Sequence, residues 1–66
     1  MEIIFYSNDC PRCKILKAKL DEKQINYTEN NNIQDMISKN IALTPCLEVN
    51  GDLMEYMDAI EWVKAR

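Results

Sequence analysis

Apolar positions along this 66-residue chain change period from one segment to the next. Ile3-Ile4-Phe5-Tyr6 is an unbroken run of β-branched and aromatic residues, which predicts a short central strand covered on both faces. Pro11 suits a first helical position, where a missing N–H costs no hydrogen bond. Behind it Cys13, Leu16 and Leu20 recur at spacings of three and four, one apolar stripe on a helix over 11–24. From Ile25 to Glu29 apolar and polar residues alternate, and Tyr27 and Thr28 favour extended backbone, so a second strand suited to a sheet edge is expected there. Asn32 can accept from the amides of the next turn, and Ile33, Met36 and Ile37 share one face of a short helix ending by Asn40.

Thr44-Pro45 breaks the pattern before Cys46-Leu47-Glu48-Val49, and Asn50-Gly51 then separates that run from Asp52 to Tyr56. Asn-Gly supplies the two positive-φ positions of a type I′ turn, so the two runs predict a hairpin. Asp58 with Glu61 forms a capping box, and Met57 before it can staple onto Trp62, which places a last helix from 59 to about 65. The expected order is β-α-β-α-β-β-α in one domain over 1–66, an α/β fold. Strands separated by a helix are expected to pair in parallel through right-handed crossovers.

Composition narrows the setting. The chain is 47% hydrophobic and 29% charged, ordinary for a folded soluble globule, and its length allows only one small core. A formal charge of −3 argues against a nucleic-acid partner bound through a general positive field. Charge is nevertheless uneven: Arg12, Lys14, Lys17, Lys19 and Lys23 cluster on the first predicted helix, while Glu48, Asp52, Glu55, Asp58 and Glu61 lie toward the C-terminus. With no 18-residue apolar run and no basic leader in Met1-Glu2-Ile3-Ile4-Phe5, the expectation is a cytoplasmic monomer without a membrane partner.

Candidate chemistry concentrates at Cys10-Pro11-Arg12-Cys13. The first thiol falls at a helix start, where unpaired amides and the helix dipole favour a thiolate, and the second lies one turn on, within disulfide reach. Arg12 and Lys14 add positive charge beside Cys10, and Asp9 opposes it. A zinc site would need further ligands, but the chain has no histidine and only Cys46 besides the pair. A purely structural staple would close a four-residue loop for about 2 kcal/mol, the low end of the entropic scale. Chance core cysteines are the remaining alternative. A Cys-x-x-Cys between a strand and a helix favours a thiol–disulfide role, with no metal and no tightly bound cofactor. Cys46 reads first as a buried small hydrophobe, with a third redox thiol or a regulatory site as the alternatives. Tyr6, Tyr27, Tyr56 and Trp62 read as core and rim, and Met36, Met54 and Met57 as gap fillers.

Taken together, Ile4-Phe5-Tyr6-Ser7, Cys10-Pro11-Arg12-Cys13, Leu16-Lys17, Leu20, Thr44-Pro45, Asn50-Gly51 and Asp58 resemble the glutaredoxins of the thioredoxin superfamily over nearly the whole chain. The resemblance implies a thioredoxin-like fold: a four-stranded mixed sheet with helices on both faces. It implies Cys10 as nucleophile and Cys13 as resolving thiol. Pro45 would be a cis-proline beside the sulfurs, with the Thr44 backbone pairing to an extended substrate. Pro11, Arg12, Thr44, Pro45 and Asp58 would form the substrate site, for a disulfide-containing protein or a glutathione mixed disulfide. The chain departs from the family in two places. Ser7-Asn8-Asp9 is acidic and one residue short where a basic residue usually precedes the first cysteine, and Glu55-Tyr56 stands where a glycine pair lets backbone approach glutathione. Glutathione as reductant therefore competes with thioredoxin reductase. A redoxin donating electrons to ribonucleotide reductase is the second reading, although the family's tryptophan-serine-glycine-phenylalanine segment is absent. A reading of another class is a non-catalytic binding module that uses the basic first helix.

Overall fold

Four short strands and three helices account for most of residues 2–42 and 44–66, the parts described in the computed structural model. The strands are β1 (Ile3–Tyr6), β2 (Thr28–Asn30), β3 (Cys46–Val49) and β4 (Asp52–Met54); the helices are α1 (Pro11–Glu22), α2 (Ile33–Ser38) and α3 (Tyr56–Lys64). They form a mixed sheet in the order β2-β1-β3-β4. β1 pairs in parallel with β2 across the α1 connection, as expected. β3, in contrast, lies antiparallel to β1, with Phe5 opposite Leu47 and Tyr6 opposite Cys46. The expectation of a parallel pair across α2 fails because β1, already central, takes both neighbours and β2 stays at the edge.

Alternation along β1 sends its side chains to two separate cores. Ile3 and Phe5 join Cys13, Leu16 and Leu20 of α1, Leu47 and Val49 of β3, and Ala59, Ile60 and Val63 of α3. Tyr6 faces the other way, with Met36 of α2 and Cys46, and Ile4 and Ile41 pack at their margin. Helices therefore cover both faces, α1 and α3 on one and α2 on the other. The second layer is thin. Of the stripe expected on α2, Met36 alone is buried, while Ile33 and Ile37 are 56% and 62% exposed. Lys39 just beyond α2 bonds Glu48 of β3 at 3.0 Å, and Glu48 also accepts from the buried Tyr6 hydroxyl at 3.4 Å.

Helix ends explain where other boundaries moved. Gln24 adopts a positive φ of 56°, its N–H bonds Asp21 O, and the Ile25 N–H reaches back to Leu20 O at 3.0 Å. This left-handed C-terminal cap turns the chain at Ile25, so pairing with β1 begins at Thr28 rather than Ile25. Tyr27, on the link, meets Phe5 edge to face and donates to Asp21 at 3.0 Å; burial and then this bond push its phenol up to about 12. α2 repeats the arrangement at Asn40 (φ 60°), and Asn32 caps its start by accepting from Gln34 N and Asp35 N. Asn50 and Gly51 are both at positive φ, as a type I′ hairpin requires.

The last helix differs from expectation. It begins at Tyr56, with Glu55 as an N-cap that makes no side-chain capping bond, so Asp58 lies in the first turn and not at the cap. Starting early brings Tyr56 onto the main core and leaves Met57 69% exposed, neither a staple for Trp62 nor a gap filler. Trp62 instead packs on the core with the Arg66 guanidinium 4.2 Å above its ring. Among the described residues no helix is long and apolar enough to cross a membrane.

Candidate functional site

Between β1 and α1 the chain reverses at Asp9, which holds a left-handed φ of 55° that aspartate tolerates better than most residues. This turn delivers Cys10 as the N-cap of α1 in extended conformation, with Pro11 exposed at the first helical position. Cys10 Sγ takes the role that a serine or aspartate oxygen usually has: it accepts the Cys13 N–H at 3.2 Å. Cys13, one turn on, is 3% exposed, and its sulfur accepts from the Asn8 N–H at 3.5 Å. The two sulfurs form a disulfide across Cα atoms 5.0 Å apart. Cys10 remains partly exposed and Cys13 is covered, so an incoming group meets Cys10 first.

Two depressions flank this pair. A cleft of about 380 Å³ is lined by Arg12, Thr44, Pro45, Glu55, Tyr56, Met57 and Asp58. Thr44 brings the Cys10 side of the disulfide to its edge: Cys10 Sγ lies 3.8 Å from the Thr44 carbonyl oxygen and 3.9 Å from its hydroxyl. The Thr44–Pro45 peptide is cis, and Pro45 is buried. The Arg12 guanidinium stands 5.4 Å over the Tyr56 ring on the cleft wall. Of the residues singled out in the sequence for substrate contact, Arg12, Thr44, Pro45 and Asp58 meet here, while Pro11 does not line the cleft. Glu55, Tyr56 and Met57 complete the lining: the resemblance puts Glu55-Tyr56 at the position where backbone approaches glutathione, and Met57 is the unforeseen member.

A smaller groove of about 220 Å³ opens on the Cys13 side, lined by Phe5, Ser7, Asp9, Cys13, Lys14, Lys17 and Glu29. The charges near the pair are thus sorted by the helix: Arg12 to the cleft, Asp9 and Lys14 to the groove. In the groove the buried Ser7 hydroxyl donates to Glu29 at 3.0 Å, and Lys17 pairs with the same carboxylate at 3.1 Å. Lys23, further along α1, donates to the Arg66 carbonyl. The basic helix is therefore partly engaged by its own fold. Cys46 is buried with Tyr6 and Met36 on the α2 face of the sheet, and burial, followed by the Glu55 charge, pushes its thiol up. Among the described residues no group of three His, Cys, Asp or Glu is arranged to hold a metal ion.

Lys17 first and Ser7 second hold the Glu29 carboxyl below the usual carboxylate range, against a smaller opposing effect of burial. A carboxyl with a depressed folded-state pKa stabilises the fold above its unfolded value, near 4.3, and that contribution vanishes as pH falls through the folded value. Glu29→Gln is accordingly expected to lower the urea midpoint at about pH 6, with the gap to the parent shrinking steadily as pH falls below about 4. An undiminished gap at the acid end would assign the loss to packing instead.

No family model, curated protein or solved structure matches this chain.

Proposed function

We propose that this protein is a glutaredoxin-like thiol–disulfide oxidoreductase on a thioredoxin-like fold, acting in the cytoplasm as a monomer on protein or glutathione-mixed disulfides. The observation that carries this reading is the asymmetry of the pair: a partly exposed sulfur at a helix N-terminus, accepting a backbone N–H and lying 3.8 Å from the carbonyl of the cleft residue Thr44, joined to a covered sulfur one turn on. An amide and a helix dipole aimed at Cys10 favour its thiolate, which is the attacking species.

In the forward reaction the Cys10 thiolate attacks one substrate sulfur, forming a mixed disulfide and releasing the other sulfur as a thiolate that takes a proton from water. Cys13, deprotonated in turn, attacks Cys10 Sγ, releases the second substrate thiolate and closes the Cys10–Cys13 disulfide. Two electrons pass from the dithiol to the substrate. The Asn8 N–H at Cys13 Sγ supports the second step by stabilising charge on the resolving sulfur. Thr44, Pro45, Arg12 and Asp58 border the space where the substrate chain would lie. The disulfide is then reduced again by glutathione or by a thioredoxin reductase.

The test is reduction of a protein disulfide in two coupled systems, one with glutathione and its reductase, the other with thioredoxin reductase. Turnover in either is the expected result and identifies the donor. Turnover in neither, with the Cys10–Cys13 bond demonstrably reduced at the start, would overturn the reading.

A further inference from the structure

The cleft beside Cys10 has a chemical character that the cysteine pair does not dictate. Two carboxylates, Glu55 and Asp58, and one guanidinium, Arg12, line it, so its lining is net negative. The guanidinium is stacked on Tyr56, which keeps it at the wall. Glu55 acts inward as well: its charge contributes to raising the Cys46 thiol, on the strand that directly follows Pro45. The rest of the lining is Thr44, Pro45, the half-buried Tyr56 and Met57, 69% exposed, and Tyr56 and Met57 offer apolar contact at the rim.

Charge and shape together suit a long cationic side chain, whose stem lies on an apolar rim while its head reaches carboxylates. A volume of about 380 Å³ accommodates the residues beside a cysteine and not a whole protein surface. Resting on the thiol–disulfide reading above, we infer that the site selects peptide disulfides whose cysteine is flanked by Lys or Arg, with Glu55 and Asp58 as the discriminating residues. Anionic partners are disfavoured at the same place. Glutathione, with two carboxylates and one ammonium, belongs to the disfavoured class, so a basic protein segment is a better substrate than a glutathione mixed disulfide.

The electron flow is unchanged: Cys10 attacks the peptide sulfur, Cys13 resolves, and the reduced chain itself supplies both electrons. A single-turnover experiment therefore needs no added reductant. The fully reduced chain is mixed with three short peptides of equal length, each joined through its cysteine to the same uncharged thiol, with Lys, Ala or Glu flanking that cysteine. Formation of the Cys10–Cys13 disulfide is followed by mass. The expected order of second-order rate constants is Lys, then Ala, then Glu, spanning roughly fivefold or more at low salt and contracting at about 0.5 M NaCl as exposed charges are screened. Glu55→Gln with Asp58→Asn should flatten the series, and Glu55→Lys should invert it. Equal rates for all three peptides with the parent protein, or a preference for Glu, would overturn the inference while leaving the redox chemistry intact. Failure to react even with the Ala peptide would overturn the redox reading, and the inference with it.

Discussion

On the proposed dithiol chemistry, Cys10→Ser is expected to lose disulfide reduction by more than about a hundredfold, because a serine hydroxyl in the same place is not ionised and is a poor nucleophile toward sulfur. Cys13→Ser should behave differently. Its Cys10 can still attack, since the helix-start amide that holds Cys10 Sγ is the backbone N–H of residue 13 and survives the change. Without a resolving thiol the reaction stops at the mixed disulfide, which should accumulate and be visible by non-reducing electrophoresis and intact mass. Limiting iodoacetamide on the reduced parent should modify Cys10 before Cys13 or Cys46, both of which are nearly excluded from solvent. First labelling at Cys13 would reverse the assigned roles, and a Cys13→Ser protein that reduced protein disulfides at the parent rate without trapping them would refute the dithiol mechanism.

The second large effect is on stability. Leu16 is fully buried where α1 meets the sheet, in the cluster that holds Phe5, Leu47 and Val63. Leu16→Ala removes that contact surface and leaves a cavity, a loss of about 2–5 kcal/mol. A chain of this length has on the order of 3–10 kcal/mol in all, so the variant should lose much of its urea resistance and melt more than about 10 °C lower. Its neighbour Ile15 is 47% exposed, and Ile15→Ala should stay within about 0.5 kcal/mol of the parent. Urea titrations of the two variants check both figures. Similar losses at both positions would mean that α1 does not sit on the sheet by the Cys13–Leu16–Leu20 stripe.

The Leu16 and Ile15 contrast was legible in the order of residues, because a helix repeats every 3.6 positions and its buried face follows from that period alone. The same holds for β1, for the Pro11 start and for the Asn50-Gly51 turn: each is decided by backbone sterics within a few residues. The cysteine pair belongs with them, since its spacing and its place between a strand and a helix are local. What lay beyond the sequence was whatever depended on contacts between distant segments. The stripe on α2 has the right period, yet the sheet accepts only Met36 and leaves Ile33 and Ile37 outside, because a six-residue helix covers little area. β2 starts at Thr28 because the cap of α1 turns the chain first, and β3 does not pair with β2 because it joins the sheet on the other side of β1, antiparallel to it. α3 starts at Tyr56, whose ring packs against the main core, and not at the capping box that Asp58 and Glu61 offer locally. That shift of three residues also decides the cleft. Arg12, Thr44, Pro45 and the first turn of α3 are far apart in the chain, and local preferences contain no term for their meeting. The hairpin carries α3 back across to α1, and only then do Glu55, Tyr56 and Met57 line one cleft with Arg12, whose guanidinium lies over the Tyr56 ring.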